Sequence, residues 1–554
     1  MKRYISTISA FIAILMVMAS CQDMDLLPKE NLSDPQFWKT PADYKKAANL
    51  LYERMESFNT NDNESDIAYG EEANGVSNGS YIANPSDGNW NDRFTDIRNC
   101  NKIIEKSETY SGEPYEIEFY VAEARFFRAY TYWRLMKRFS DVPIITKTLD
   151  VDSPELYGKR DSQVKVEDFI LSELEAIYTK LPKQSELASD DLGRITQGTA
   201  LALKARVALF AGTWAKYHKH RTDYKEVLEQ AITAAEKIRL SKEYSLFEDA
   251  GSESYRYLFI EKGDDAPEAI LSNRYYKDIR MHSQAHGVYW GQRGTPTKKL
   301  AEMYLCKSTG LPIDKVGSGF EGYQKMADEF KNRDPRMTQT FLTPGTTFLS
   351  PQDGQLVSSP QFDTRPNTDT GYKLWKFMGE DRTGVNDSYY DCHIIRYAEI
   401  LLIEAEATFE KDDYISNEVL GNTINVVRSR KGVEMPPLTN EFVQTNGLDM
   451  QTEIRRERTV ELAFEGFRRD DLRRWKTAEV ELAQAMKGFK YKGTEYEDLN
   501  VLDKDNAGKV DENGFYIVEP AANRKFVAPK NYYYSLPLDE TKLNPNLLPN
   551  NPGW

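Results

Sequence analysis

Histidine and cysteine are scarce in this chain of 554 residues and basic residues are fewer than acidic ones, and each shortage argues against a class of function. Five histidines and four cysteines leave little imidazole or thiol for catalysis or for a zinc site. The sequence has no His-Glu-x-x-His, Cys-x-x-Cys, P-loop or Gly-x-Ser-x-Gly string. Lys and Arg number 72 against 87 Asp and Glu, a net charge of -15, so the field of the chain repels nucleic acid.

A long apolar run is also missing near the N-terminus, where Ala10 to Ala19 gives only ten consecutive apolar residues. Ten residues are too few to span a bilayer, and with two basic residues before them they are typical of a signal peptide over residues 1–20. Small residues precede Cys21, as in a bacterial lipobox. We therefore expect Cys21 to carry a diacylglycerol anchor; the alternative is an ordinary cleaved signal with a chance cysteine.

The other three cysteines, Cys100, Cys306 and Cys392, have no close spacing and allow at most one disulfide. Buried free thiols are the expected state. His282 and His286 lie four residues apart but among loop-forming residues, so we interpret them as loop histidines. The sequence predicts neither a metal site nor a cofactor.

Helical periodicity dominates what is present. Apolar residues recur at spacings of three and four from Tyr44 to Phe58 and in five further stretches. Those stretches are 119–136, 170–181, 200–210, 227–238 and 398–409. They predict a mainly α fold of antiparallel helix pairs on a tetratricopeptide-like scaffold, with long loops and a few short strands. We expect one compact fold with a helical region over 21–240 and a region with long loops over 241–554.

Charged residues inside two of the helical stretches predict internal ion pairs. Glu123, Arg125 and Arg128 are interleaved with aromatic residues, and charges on a core-facing helix must pair or reach water. Glu461 and Glu465 lie four apart beside several arginines. A glycosidase needs its two carboxylates on opposite sides of a sugar, so we interpret this pair as part of an ion-pair network.

Five strings along the chain resemble motifs of the SusD/RagB family of outer-membrane lipoproteins. They are CQDMDLLPKE from Cys21, AEARFFRAYTYWRLMKRFSDVPII from Ala122, RYAEILLIEAEA from Arg396, ERTVELAFEGFRRDDLRRW from Glu457 and the terminal LPLDETKLNPNLLPNNPGW. Their order from residue 21 to residue 554 extends the resemblance over the mature chain. The departures are small: Asn550 stands where the family more often has Gln, and the spacing from Cys21 to Pro28 is a residue short.

The resemblance implies a non-catalytic lipoprotein on the cell surface that captures an oligosaccharide or polysaccharide. It also implies delivery of this ligand to a TonB-dependent transporter of the SusC type in the outer membrane, with a hinged lid. Two alternatives stay open. One is a peptide-binding or glycoprotein-binding protein of the RagB type, and the other is a surface glycoside hydrolase.

Three loops combine aromatic rings with carboxylates, amides and guanidinium groups, as sugar sites do. The first loop is Asp62–Trp90, the second is His286–Gly294 and the third is Asp381–Asp391. The residues expected to bind glycan are Asp66, Glu71, Trp90, Tyr289, Trp290, Arg382 and Tyr389. For Trp90 the alternative is packing in the core, because a helix-like stretch begins there.

Replacement of Cys21 tests the anchor. Because this residue alone is expected to carry the lipid, Cys21→Ala should move the protein from the membrane into the soluble fraction. Detergent phase partitioning of the two forms measures this. Unchanged partitioning of the variant contradicts lipidation at Cys21.

Overall fold

The computed structural model describes residues 37–350, 355–358, 370–380, 384–502, 506 and 508–554. The predicted signal peptide, Cys21 and Arg382 lie outside these residues. Within them no helix is both long enough and apolar enough to cross a membrane.

The N-terminal part of the described chain is a series of helices, all of them long except one of four residues. They are α1 (Pro41–Leu51), α2 (Gly75–Asn78), α3 (Gly88–Ser107), α4 (Glu118–Phe139), α5 (Gln163–Ile177), α6 (Gln197–His218) and α7 (Tyr224–Ser241). Successive long helices from α3 to α7 pack on one another. Only five residues join α6 to α7, so the two lie antiparallel. This confirms the mainly α fold built from helix pairs.

Most helices of the C-terminal part are short. They are α8 (Ser254–Tyr257), α9 (Gln284–Tyr289), α10 (Lys298–Met303), α11 (Pro335–Thr340), α12 (Tyr397–Asp412), α13 (Asn417–Asn422), α14 (Ile424–Arg428), α15 (Asn440–Thr445), α16 (Met450–Glu461), α17 (Arg468–Arg474), α18 (Ala478–Glu481), α19 (Glu495–Asp498) and α20 (Leu538–Leu543). The longest of them, α12, packs against α6 and α7 and so joins the two parts.

Eight short strands form two-stranded antiparallel sheets in the part that the structure describes. They are β1 (Ala68–Tyr69), β2 (Ala269–Asn273), β3 (Thr295–Pro296), β4 (Thr347–Leu349), β5 (Leu356–Ser358), β6 (Cys392–Arg396), β7 (Met486–Lys490) and β8 (Phe515–Glu519). The pairs are β1 with β3, β2 with β6, β4 with β5, and β7 with β8. Strand pairs from distant parts of the chain fix where the long loops begin and end.

Local sequence explains the boundaries of α1. The Asp43 carboxylate accepts a hydrogen bond from the Thr40 backbone N–H at 2.9 Å, and Pro41 occupies the first helical position. The helix ends at Leu51, so the prediction that its period continues to Phe58 is wrong. A turn of 3₁₀ helix follows at Tyr52–Arg54, and the chain then becomes extended at Met55.

Helix α6 is the centre of the core. Every residue from Thr199 to Ala215 except Arg206 is buried. Small residues on this helix permit close approach of α7: a Cβ added to Gly212 would lie 2.6 Å from the Leu228 side chain. The three described cysteines, at positions 100, 306 and 392, are free and buried, as expected.

The ion pairs predicted for α4 are present. Arg125 and Arg128 bind Glu173 of α5 at 2.7 and 2.6 Å. Glu123 binds Arg194 at 2.7 Å, which ties the start of α6 to α4. These charges hold neighbouring helices in register.

A second network is centred on Glu461 at the end of α16. Its carboxylate pairs with Arg336 at 2.9 Å, Arg396 at 2.7 Å and Arg430 at 2.8 Å, and all four side chains are buried. Three guanidinium groups lower the pKa of Glu461 to about 2, against the opposing effect of burial. Arg396 also binds Glu465 at 2.8 Å, which confirms an ion-pair network for the Glu461 and Glu465 pair.

Replacement of Glu461 tests this network. Glu461→Gln removes one charge from among three buried guanidinium groups and should lower the free energy of unfolding by about 3–5 kcal/mol. The stabilisation from a lowered carboxyl pKa is present above the unfolded value and is lost as the pH falls from about 4.5 towards 2. Thermal melts between pH 2 and 7 should therefore show a shallower acid slope in the variant.

Glu512→Gln, at an exposed glutamate, is the matched control and should melt like the parent. Equal stability and equal acid slopes in the parent and Glu461→Gln would show that the network does not stabilise the fold.

Candidate functional site

The three predicted loops meet in one place. Strand β1 of the first loop pairs with β3, which directly follows the second loop, through Ala68 opposite Pro296. The backbones of His282 and Ser388 join the second and third loops by N–H to O hydrogen bonds of 2.8 and 3.1 Å. We call the described residues 63–71, 282–294 and 384–390 the loop junction.

One short segment, Glu461–Arg468, holds the second and third loops in place. Arg396, the last residue of β6, donates to Glu461 at 2.7 Å and to Glu268 at 2.8 Å. Glu268 immediately precedes β2, and Ala269 of β2 pairs with Arg396. The ion pairs therefore clamp one end of the β2–β6 ladder. The chain segments that build the second and third loops leave its other end, at Asn273 and Cys392.

The same segment fixes the first loop. The Asp62 carboxylate accepts hydrogen bonds from the backbone N–H groups of Gly466 at 3.0 Å and Arg468 at 3.1 Å. Asp66 accepts two hydrogen bonds from the Arg468 guanidinium, each of 2.8 Å. Gly466 has a φ of +84°, and a Cβ there would lie 2.5 Å from Asn59 Oδ1, so the turn requires glycine.

Two adjacent rings form the aromatic part of the junction. Trp290 follows the last residue of α9, is partly exposed, and meets Tyr289 edge to face with centroids 5.1 Å apart. Tyr289 is buried against Phe348 at 6.0 Å, and the Lys373 ammonium lies 4.4 Å from its ring centroid. Tyr289 therefore supports the Trp290 ring, and Trp290 is the ring that can offer a face to a ligand.

Four buried polar atoms of the first and second loops lack a hydrogen-bond partner among the described residues. They are Asn63 Oδ1, Gln284 Oε1, His286 Nδ1 and Arg293 Nε. A buried polar atom without a partner costs about 1–3 kcal/mol unless water or a ligand satisfies it. These four atoms have almost no accessible surface in this conformation, so a ligand reaches them only if the loop side chains move.

The other predicted residues of the first and third loops differ in how exposed they are. Tyr389 is partly exposed, with the Lys277 ammonium 5.7 Å from its ring centroid. Glu71 is exposed on the first loop. Asp66 is buried and bound to Arg468, which gives it a structural role. Arg382 lies outside the described residues.

Trp90 lies away from the junction and is the third residue of α3. It is 5% exposed and packs edge to face on Phe139 with centroids 5.3 Å apart. One edge lines a groove of 310 Å³ that also includes Phe94 and Leu547. This placement agrees with the alternative of core packing; the ring shows no free face, and its role in binding stays a prediction.

Sequence reasoning did not assign Asn63, Gln284 or His286 to the site. The sequence offers little indication of these three residues, because a single amide or imidazole side chain in a loop is common on any protein surface. Only the pairing of β1 with β3 brings Asn63 next to the second loop, where a Cβ on Gly294 would lie 2.0 Å from Asn63 Oδ1. That pairing joins positions more than 220 residues apart.

The histidines give no sign of a metal centre. His282 Nε2–H donates to the Tyr390 carbonyl at 3.0 Å, and Nδ1 accepts from the Gln284 N–H at 3.2 Å, so both ring nitrogens are occupied. Burial lowers the pKa of His282 to about 4 and keeps the ring neutral. Within the described ranges no group of His, Cys, Asp and Glu side chains could hold a metal ion.

Three carboxyl groups near the junction have raised pKa values. Burial raises the pKa of Asp62, which holds two backbone N–H groups of the segment Glu461–Arg468, to about 7. Burial raises the pKa of Asp264 to about 7 and that of Asp391 to about 6. Asp264 accepts the Asp391 backbone N–H at 2.7 Å, and Asp391 accepts the Tyr275 N–H at 2.8 Å. Asp264 and Asp391 thus anchor backbone N–H groups at the base of the third loop, so their role is structural.

Two family models match long parts of the chain. Residues 248–554 match the model described as SusD family. Residues 23–209 match a model described as starch-binding associating with outer membrane. Among curated proteins, SusD-like protein P2 of Formosa agariphila is 25% identical over 602 aligned residues, which cover 100% of each chain. SusD-like protein P38 of the same organism is 25% identical and covers 88% of this chain and 95% of its own.

Solved structures share the fold. A SusD-like carbohydrate binding protein from Bacteroides fragilis superposes with a TM-score of 0.75 at 24% identity, over 92% of this chain and 100% of that one. A laminarin binding SusD-like protein superposes with a TM-score of 0.59 at 20% identity, over 93% of this chain and 100% of the other. At these identities the likeness concerns architecture and leaves the ligand open.

Exchange of each tryptophan for alanine separates packing from binding. Trp90→Ala should lower the free energy of unfolding by about 3–5 kcal/mol, because it leaves a cavity beside Phe139. Trp290→Ala, at the partly exposed ring, is the matched comparison and should cost clearly less. Thermal denaturation of both variants measures the difference. A Trp90→Ala protein that melts like the parent but binds no glycan would restore Trp90 as a stacking platform.

Proposed function

The chain belongs to the SusD family, and from this premise we propose that it is a surface glycan-binding lipoprotein that captures an oligosaccharide or polysaccharide without hydrolysing it. The binding site that we propose is the loop junction. The observation that carries the proposal is the partly exposed Trp290 ring, which the buried Tyr289 supports edge to face where the three loops meet.

Sugar chemistry matches a partly exposed aromatic ring among polar side chains. A pyranose presents an apolar C–H face to an aromatic ring and a rim of hydroxyl groups that donate and accept hydrogen bonds. Asn63 Oδ1 and Gln284 Oε1 are acceptors, whereas Arg293 Nε is a donor that remains charged. Burial lowers the pKa of Arg293, but a guanidinium starts so high that it keeps its proton at neutral pH.

Absence of hydrolysis is supported by the state of the carboxylates. Glu461 and Glu465 are both buried and bound to Arg396, and their pKa values are lowered, so neither is a general acid at neutral pH. Asp264 and Asp391 have suitable pKa values but hold backbone N–H groups.

Delivery to a SusC-type TonB-dependent transporter in the outer membrane is the second part of the proposal. Family membership and the match to a model described as associating with the outer membrane support it. In this scheme lipid on Cys21 keeps the protein at the cell surface, and the transporter receives the ligand. Affinity purification from detergent-solubilised membranes tests the partnership.

Loss of the Trp290 ring tests the binding site. Removal of a central stacking ring typically costs about 2 kcal/mol or more, so Trp290→Ala should weaken binding to any polysaccharide that the parent retains on a glycan array. Calorimetry with that polysaccharide measures the loss. Tyr414→Ala, at a tyrosine that is 60% exposed far along the chain, is the control and should bind like the parent.

Full affinity in Trp290→Ala would place the site elsewhere. Retention of peptides and of no glycan would favour the RagB-type alternative. Release of shorter sugars during incubation with the polysaccharide, lost in Asp264→Asn without a change in melting, would show a hydrolase.

A further inference from the structure

A groove larger than the one beside Trp90 lies next to the loop junction. It has a volume of 860 Å³ and runs between α10, α16 and the region where β7 and β8 pair. A neighbouring cavity of 260 Å³ shares four of its lining residues, Lys298, Lys299, Glu302 and Glu481, so the two form one elongated depression. We call this depression the α10 groove. Volumes of 300–1,000 Å³ are typical of ligand sites.

Basic residues outnumber acidic ones in the lining of the α10 groove, unlike in the whole chain. The larger part of the groove is lined by six basic residues and three acidic ones, whereas the whole chain has 72 basic and 87 acidic residues. The basic residues are Lys298, Lys299, Arg455, Arg456, Arg468 and Lys490, and the acidic residues are Glu302, Asp314 and Glu481. Five of the six basic residues pair with carboxylates, and Lys490 is the one that pairs with none among the described residues.

Two lysines converge on one ring of the groove. The ammonium groups of Lys298 and Lys490 lie 4.2 and 4.9 Å from the centroid of Phe515. Lys490 makes no ion pair with a carboxylate of the described residues, and Lys298 pairs only with Glu302, one turn along α10. A cation on a ring face keeps its protons for a further acceptor, so both lysines are positioned to bind an anionic group.

Aromatic surface accompanies these charges. Tyr323 meets Phe515 edge to face with centroids 5.5 Å apart, and Phe320 and Trp475 also line the groove. The Arg455 guanidinium carbon lies 4.7 Å from the Trp475 ring centroid. Phe515 and Trp475 are buried beneath these cations. Phe320 and Tyr323, in contrast, are partly exposed and suit a ligand that carries both apolar C–H surface and negative charge. An inorganic anion would use only the cations.

The α10 groove is distinct from the loop junction but continuous with it along the chain. None of Asn63, Gln284, His286, Trp290, Arg293 and Tyr389 lines it. Strand β3, which pairs with the first loop at the junction, runs through Thr297 directly into α10. The two sites adjoin at the buried Asp66–Arg468 pair, because Asp66 of the loop junction lines the smaller cavity and Arg468 lines the larger one.

From this geometry we propose that the α10 groove is a second carbohydrate subsite that takes an acidic glycan, one that bears uronate carboxylates or sulfate esters. The proposal rests on the proposed glycan-binding function and names its substrate class. Carboxylate or sulfate groups contact Lys298 and Lys490, while sugar faces contact the partly exposed Phe320 and Tyr323.

Matched charged and neutral polysaccharides test the proposal on the mature full-length chain. Polygalacturonate is compared with its methyl ester, and dextran sulfate with dextran. The parent should bind at least one acidic member clearly more tightly than its neutral partner. The double variant Lys298→Gln, Lys490→Gln should weaken that binding about tenfold or more and should flatten its salt dependence. Lys225→Gln, at an exposed lysine on α7, should change nothing.

The outcomes separate the two proposals. Equal binding of acidic and neutral polysaccharides, or full affinity in a double variant that melts like the parent, overturns the acidic subsite. In that case loss of neutral glycan binding in Trp290→Ala still supports the loop junction. Binding of polyglutamate but of no acidic polysaccharide also overturns it, since the groove would then be a peptide site. No binding of any polysaccharide contradicts both proposals.

Discussion

The ion pairs of Glu461 are the interaction on which the geometry of the site depends. One buried carboxylate binds three guanidinium groups that come from α11, from the end of β6 and from the residues after α14. Removal of one partner would leave uncompensated charge in a dry interior, which is far more costly than loss of a surface pair. The network therefore fixes the relative positions of elements that are distant in sequence.

The network also restrains the loops, because its residues bind the chain segments from which the loops start. Arg396 and Glu268 clamp the β2–β6 ladder, from which the second and third loops extend, while Gly466 and Arg468 hold Asp62 and Asp66 of the first loop. A stack of alanine-rich helices centred on α6 supports the whole arrangement. The proposed binding residues thus lie on irregular chain, but the ends of that chain are attached to a rigid scaffold.

Sequence patterns predicted the scaffold better than the site. Helical period marked α4 to α7 and α12, since each buries a continuous apolar face, and the spacing of Glu461 and Glu465 indicated paired charges. Trp90 shows the limit of the method. A tryptophan among acids and amides has the composition of a sugar platform, yet Asp87 caps α3 there and directs the ring towards Phe139. The cluster around Gln284 depended on contacts between remote segments, which periodicity does not encode.

Hydrogen–deuterium exchange with and without the glycan that the array identifies tests the central claim most directly. The account predicts that ligand protects peptides covering residues 63–71, 282–294 and 384–390. It also predicts that amides of Glu461–Arg468 exchange slowly in both states, because the buried network already holds them. Protection confined to the groove beside Trp90, with the loop junction unchanged, would contradict the assignment of the binding site.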